Sequence, residues 1–292
     1  MNPFRGTYTA LITPFRDGQI DLDALQGHVE RQIQAGVDGL VPCGTTGESP
    51  TLTLEEHQRV LASVVKQAAG RARVLAGAGT NSTARTLELA RMAANCGVDG
   101  LLVVAPYYNK PSQQGLLEHF SAVAQGVKVP IVLYNIPGRC GVEVSVETIC
   151  RLREAHDTIV AVKHATGRVD DAAELLSRCD IGVLSGDDPL TLPLMSLGAQ
   201  GVISVVSNLT PRSVRRLTQA MVESDWATAR EAHRALYPLA KALLSLDTNP
   251  VPIKTSLAVR GWCAEEFRLP LCPMEATKRS RLIGLVSQCV LE

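Results

Sequence analysis

Aromatic residues make up only 4% of this chain, and its charges cancel, with 29 lysines and arginines against 29 aspartates and glutamates. Without a positive surplus, no field is available to hold nucleic acid or an anionic membrane by charge alone. No apolar run is long enough to span a bilayer. The opening Met1-Asn-Pro-Phe-Arg lacks the basic-then-apolar order of an export signal, so a soluble, cytoplasmic protein is expected. The eight cysteines (Cys43, Cys96, Cys140, Cys150, Cys179, Cys263, Cys272 and Cys289) form no Cys-x-x-Cys pair, and no histidine stands at zinc-finger spacing. A disulfide framework is not expected in a chain this long, which leaves reduced thiols. The partners left by these exclusions are a small molecule or further copies of the chain.

What the chain does have is length and apolar content: 292 residues, 46% hydrophobic, sufficient for a large core. Short β-branched runs alternate with amphipathic helical segments, the pattern of parallel strands joined by crossover helices. The runs are Tyr8–Thr13, Gly39–Cys43, Arg73–Gly77, Gly100–Ala105, Ile131–Asn135, Ile159–Lys163, Ile181–Ser185 and Gly201–Ser204. The connector Gly36-Val-Asp-Gly-Leu returns as Gly97-Val-Asp-Gly-Leu and, more loosely, as Gly198-Ala-Gln-Gly-Val. Each places a glycine where a helix ends and another where a strand begins. A unit of roughly thirty residues matches one βα repeat, and eight of them favour a closed (β/α)₈ TIM barrel over an open sheet. Past Ser207 the strand signal stops. Pro211–Val222, Trp226–Leu246, Pro250–Gly261 and Met274–Leu291 read as helices. The expected division is a barrel over 1–206 and, over 207–292, C-terminal helices made of the last barrel helix and an appended region.

In such a barrel the active site lies at the C-terminal ends of the strands. The sixth run, Ile159-Val-Ala-Val-Lys163, ends four apolar residues in a lysine. A lysine in an apolar barrel mouth loses hydration, deprotonates more easily and can attack a ketone; the competing reading is a strand-end lysine reaching out to solvent. The second run continues into Gly44-Thr-Thr-Gly-Glu-Ser49, whose threonine hydroxyls and amides could hold a carboxylate or simply form a βα loop. It is no P-loop, since no Gly-Lys-Ser/Thr follows. The fourth and fifth runs end in Pro106-Tyr-Tyr-Asn109 and Tyr134-Asn-Ile-Pro-Gly-Arg139. Their phenols could relay protons, and the arginine could clamp a carboxylate; rim packing is the ordinary alternative for each tyrosine. Asp187 and Asp188, at the end of the seventh run, fit helix capping better than metal binding, because no second His/Asp/Glu cluster completes a ligand set. Gly77-Ala-Gly-Thr-Asn-Ser82 imitates a dinucleotide fingerprint, but serine replaces the third glycine and Asp99 precedes the next strand, so no nicotinamide cofactor is expected.

With these residues in place, the chain resembles the dihydrodipicolinate synthase and N-acetylneuraminate lyase family, from Leu11-Ile-Thr-Pro-Phe to Asn249-Pro-Val-Pro-Ile-Lys254 and Arg268-Leu-Pro-Leu. The motifs in common are Gly44-Thr-Thr-Gly-Glu, Tyr107-Tyr-Asn-Lys-Pro, Tyr134-Asn-Ile-Pro-Gly-Arg, Val162-Lys-His-Ala-Thr-Gly, Ser185-Gly-Asp-Asp and Gly201-Val-Ile-Ser-Val. The resemblance implies a class I Schiff-base aldolase in which Lys163 forms an imine with pyruvate, and the derived enamine attacks aspartate semialdehyde to give 4-hydroxy-tetrahydrodipicolinate. It implies Tyr134 as proton donor and acceptor, linked through Thr45 to Tyr108 of a neighbouring subunit, and therefore a homotetramer of paired dimers. Thr45 and Thr46 would hold the pyruvate carboxylate and Arg139 that of the semialdehyde, while Gly186 and Ile203 would line the pocket. The covalent imine serves as electron sink, so no metal or organic cofactor is implied.

Lyases of the family tend to carry Gly-Ser-Thr-Gly-Glu and to lack the arginine, so Thr45 and Arg139 place the synthase reaction ahead of an N-acetylneuraminate lyase or a 2-keto-3-deoxy sugar acid aldolase. A keto-acid-binding barrel without turnover would need neither nucleophile nor relay. Two departures stand out. His164 replaces the usual glutamate after the lysine, and either tunes the site or faces away. In lysine-inhibited relatives, lysine is bound through a histidine and a glutamate at positions that are Leu54 and Arg85 here. Ser49, His57, Asn81 and Tyr107 keep the remainder of that allosteric site, so weak or absent lysine inhibition is expected.

Overall fold

The computed structural model describes residues 2–288. Eight parallel strands close into a barrel in sequence order: β1 Gly6–Ala10, β2 Gly39–Val41, β3 Arg73–Gly77, β4 Gly100–Val104, β5 Ile131–Asn135, β6 Ile159–His164, β7 Gly182–Ser185 and β8 Gly201–Ser204. β1 pairs with both β2 and β8, which closes the ring. The helices between them are α1 Leu22–Gln34, α2 Leu54–Ala68, α3 Thr83–Asn95, α4 Gln113–Gly126, α5 Val146–Ala155, α6 Val169–Arg178 and α7 Thr191–Ser196, with α8 Pro211–Val222 after the last strand. Each expected strand is present. β1 starts two residues earlier than expected and stops at Ala10, and a two-residue hairpin, Phe15–Arg16 with Gln19–Ile20, was not anticipated.

The repeated connectors have a specific use. Gly36, Gly97 and Gly198 follow α1, α3 and α7 with φ of 80°, 83° and 111°, the left-handed region that ends a helix at low cost for glycine. The aspartate inside the first two copies then anchors a neighbouring strand. Asp38 accepts the Thr7 N–H at 2.8 Å, and Asp99 accepts the Val74 N–H at 2.7 Å. Asp99 is therefore occupied at the N-terminal rim, opposite the face where a dinucleotide ribose would sit.

Alternation along each strand divides the apolar residues into two layers. Tyr8, Val41, Leu75, Leu102, Val132, Ala161, Leu184 and Ile203 fill the barrel interior, whereas Leu40, Val74, Leu101, Leu133, Val162 and Val183 meet the helices. Beyond α8 lie α9 Trp226–Ser245, α10 Val251–Val259 and α11 Ala276–Gln288. The expected end of the last helix at Leu291 lies outside the described residues. Leu239, Leu243, Ile253, Leu257 and Leu282 share one apolar cluster with Ile12, Val202 and Val205, so the extension packs on the barrel without a separate core.

Candidate active site

β5 and β6 are paired in register so that Tyr134 stands beside Lys163 and Asn135 beside His164. This register decides which side chains share the barrel mouth. Lys163 is 6% exposed, and its Nζ lies 4.1 Å from the centroid of the Tyr134 ring. Burial pulls the lysine from its ordinary 10.5 to about 7; the Asp188 carboxylate opposes that shift and the Arg139 guanidinium adds to it. Burial likewise pushes the Tyr134 phenol up to about 12, against the pull of Arg139 and of a hydrogen bond with Thr45. Near neutrality the amine can therefore be a nucleophile while the phenol keeps its proton.

Space for the lysine is made by Gly186. A Cβ there would meet the Ala165 Cβ at 2.8 Å and the Lys163 Cε at 3.1 Å. Ile203, 1% exposed, completes the interior wall. His164 points the other way, as strand alternation requires: its Nε2 is 3.3 Å from the Thr166 hydroxyl, which donates to Asp171 in α6 at 2.9 Å. Of the two expectations for His164, facing away from the lysine is the one observed.

Thr45 and Thr46 follow β2 in a compact loop. The Gly47 N–H donates to Gly44 O and the Glu48 N–H to Thr45 O, each at 3.1 Å. Thr46 is 3% exposed, and its hydroxyl accepts from Asn249 Nδ2 at 3.1 Å. Arg139, on the turn Pro137–Cys140, donates to the Asn249 carbonyl at 3.0 Å. Thr45, Ser49, His57, Tyr107, Tyr108 and Arg139 line a single cavity of about 710 Å³. Lys163 and Tyr134 do not line it; both are buried, each 6% exposed. Asn81 is not part of its wall, and its carbonyl accepts from Asn109.

Tyr108 is 87% exposed with φ 73°, and among the described residues no hydrogen bond of this chain joins its hydroxyl to Thr45. Asp188 caps, as its residue type suggested, but not the helix that follows it. Its carboxylate accepts from the Ser204 hydroxyl and from the Val205 and Val206 N–H groups at 2.9 and 3.2 Å, at the turn after β8. Glu48, Asn249 and Lys254 carry no role that the sequence alone assigns. A glutamate in a glycine–threonine loop and a lysine in the apolar stretch Val251–Val259 were the available signals.

A buried lysine near the end of β6 stands beside a phenol on β5. The model of the dihydrodipicolinate synthetase family matches residues 3–289. The chain belongs to that family. A 4-hydroxy-tetrahydrodipicolinate synthase of Pelobacter propionicus is 50% identical over 285 residues, covering 97% of this chain and 98% of the relative. The crystal structure of dihydrodipicolinate synthase from Aquifex aeolicus superposes with a TM-score of 0.96 at 48% identity and covers 98% of each chain. A third family member, the Cyanidioschyzon merolae enzyme crystallised with lysine bound, gives a TM-score of 0.94 at 38% identity over 97% of each chain.

Proposed function

We propose that this chain condenses pyruvate with L-aspartate 4-semialdehyde to 4-hydroxy-tetrahydrodipicolinate, at the entry to lysine and diaminopimelate biosynthesis, as a class I Schiff-base aldolase. The relatives that match it end to end are 4-hydroxy-tetrahydrodipicolinate synthases, which are lyases. The observation that carries the mechanism is the buried Lys163 amine, pulled down to about 7, beside the Tyr134 phenol.

The neutral Lys163 amine adds to the keto carbon of pyruvate and water leaves, giving a protonated imine. Loss of a methyl proton converts it to an enamine, whose carbon attacks the semialdehyde aldehyde. The imine nitrogen takes up the electrons, which is the reason this reading requires no metal or organic cofactor. Attack by the semialdehyde-derived amino group on the imine carbon closes the product ring and frees Lys163.

Tyr134 exchanges protons with the reacting atoms, relayed through Thr45 to Tyr108 of a neighbouring subunit; the outward exposure of Tyr108 supports its use by a second copy in a homotetramer of paired dimers. Thr45 and Thr46 hold the pyruvate carboxylate, Arg139 holds that of the semialdehyde, and Gly186 and Ile203 shape the pocket. Among the described residues no helix is long and apolar enough to cross a membrane.

The test is borohydride reduction in the presence of pyruvate, followed by peptide mass spectrometry, together with a coupled assay using the semialdehyde. A reduced pyruvyl adduct on Lys163, absent from Lys163→Ala, is expected. Turnover without any trapped adduct would exclude the Schiff base.

A further inference from the structure

Three residues tie the C-terminal extension to the loop that carries Thr45 and Thr46 and to the start of α2. Lys254, on α10, donates to Glu48 Oε1 at 2.6 Å, and neither side chain has any solvent exposure. The Lys254 Nζ also lies 4.1 Å from the centroid of the Phe15 ring and 5.3 Å from that of Phe267. The second carboxylate oxygen of Glu48 accepts the Arg268 N–H at 3.2 Å, while the Arg268 guanidinium donates to Thr51 O at 3.0 Å and to both oxygens of Glu56 at 2.6 Å. Asn249, just before α10, reaches the Thr46 hydroxyl.

Glu48 is two residues past Thr46 and has φ 53°, a left-handed conformation that a glutamate adopts only when its surroundings hold it there. An ion pair at this depth adds little net stability, because desolvation of both charges offsets their attraction, and an apolar pair would fill the same space. What it does provide is a single permitted arrangement. Any shift of the loop would leave a buried carboxylate and a buried ammonium unpaired.

We propose that Glu48 and Lys254 are positioning residues for the condensation: their ion pair, made from the C-terminal extension, fixes the Thr45–Thr46 segment against the carboxylate of pyruvate. This rests on the assignment of those threonines to pyruvate given above. The extension is then part of the binding apparatus as well as packing for the barrel.

The deciding variant is Glu48→Gln combined with Lys254→Met, which keeps the volume and leaves no unpaired buried charge. It is measured for Tm, for pyruvate KM and kcat at saturating semialdehyde, and for borohydride trapping. Expected are a folded protein, a pyruvate KM raised about ten-fold or more, a smaller change in kcat, and an adduct still formed on Lys163 at high pyruvate. A folded double variant whose pyruvate KM stays within about two-fold of the parent overturns the proposal. If the double variant does not fold, Arg268→Met, at the partly exposed edge of the same network, decides: a rise of about three-fold in pyruvate KM supports the positioning role, and an unchanged KM overturns it. Failure of the Schiff-base reading looks different, since it removes the Lys163 adduct from the parent protein itself, and failure of the threonine assignment shows as an unchanged pyruvate KM in Thr46→Val.

Discussion

The amine of Lys163 sits 4.1 Å from the centre of the Tyr134 ring, on the adjacent strand and in register with it. This pairing of an easily deprotonated amine with a phenol that keeps its proton leads to the first two predictions.

Lys163 binds its proton less tightly in the folded chain, at about 7, than in the unfolded chain at its ordinary 10.5. Only the neutral amine attacks a ketone, so the pyruvate kcat/KM is expected to rise as pH rises through about 7, and a profile flat from pH 6 to 8 would contradict this. Unfolding between these two values takes up a proton, so stability rises with pH across that interval and the cost of the buried amine is nearly full at pH 7. Lys163→Met is therefore expected to be inactive yet more stable at pH 7, on the order of 4 kcal/mol, with the gain about halved at pH 9. Chemical denaturation at the two pH values measures it.

Tyr134→Phe keeps the ring against Lys163 and removes the hydroxyl. A fall in kcat of about a hundred-fold or more is expected, with borohydride trapping of pyruvate retained. A kcat near the parental value would remove Tyr134 from the proton path.

Arg139 is exposed on its turn and holds the Asn249 carbonyl. Arg139→Ala should raise the semialdehyde KM by about ten-fold or more while leaving trapping of pyruvate largely intact. Equal loss of both would mean that the guanidinium serves the first substrate as well.

Tyr108 has most of its surface in solvent and no hydrogen bond to Thr45 within its own chain. Activity is expected to depend on association, so specific activity should fall as enzyme is diluted below its dissociation range, in step with the mass seen by analytical ultracentrifugation. Full activity in a monomeric fraction would exclude a relay completed by a second copy.

Ser49, His57 and Tyr107 line the cavity beside Arg139, but Leu54 starts α2 with an apolar side chain, and Arg85 on α3 is paired with Glu88. By the family resemblance, a cationic ligand at that site would meet a like charge in place of a carboxylate. Weak or absent inhibition by millimolar lysine is expected, and Leu54→His with Arg85→Glu should introduce or strengthen it. Clear inhibition of the unmodified protein at low lysine concentration would show that the site tolerates both replacements.

The sequence by itself determined the eight strands, the barrel and the end of strand on which each candidate site residue stands. Those features are written in local periodicity: apolar runs of fixed length, a glycine that can turn left-handed after a helix, and a polar residue where a run stops. Lys163, Thr45 and Tyr134 were legible for this reason. The opposite orientations of Lys163 and His164 also follow from alternation, although the residues alone left the direction of His164 open.

Only the tertiary structure decided which groups meet across the chain. Asp188 caps a turn that follows a different strand, and Lys254 meets Glu48 across 206 positions of sequence. The lowered proton affinity of Lys163 likewise arises from burial and from Arg139, on another loop, and persists against the opposing pull of Asp188. Local propensity carries no record of such contacts. They exist because closing the barrel removes water from one shared mouth, and each polar group left inside must find a partner there.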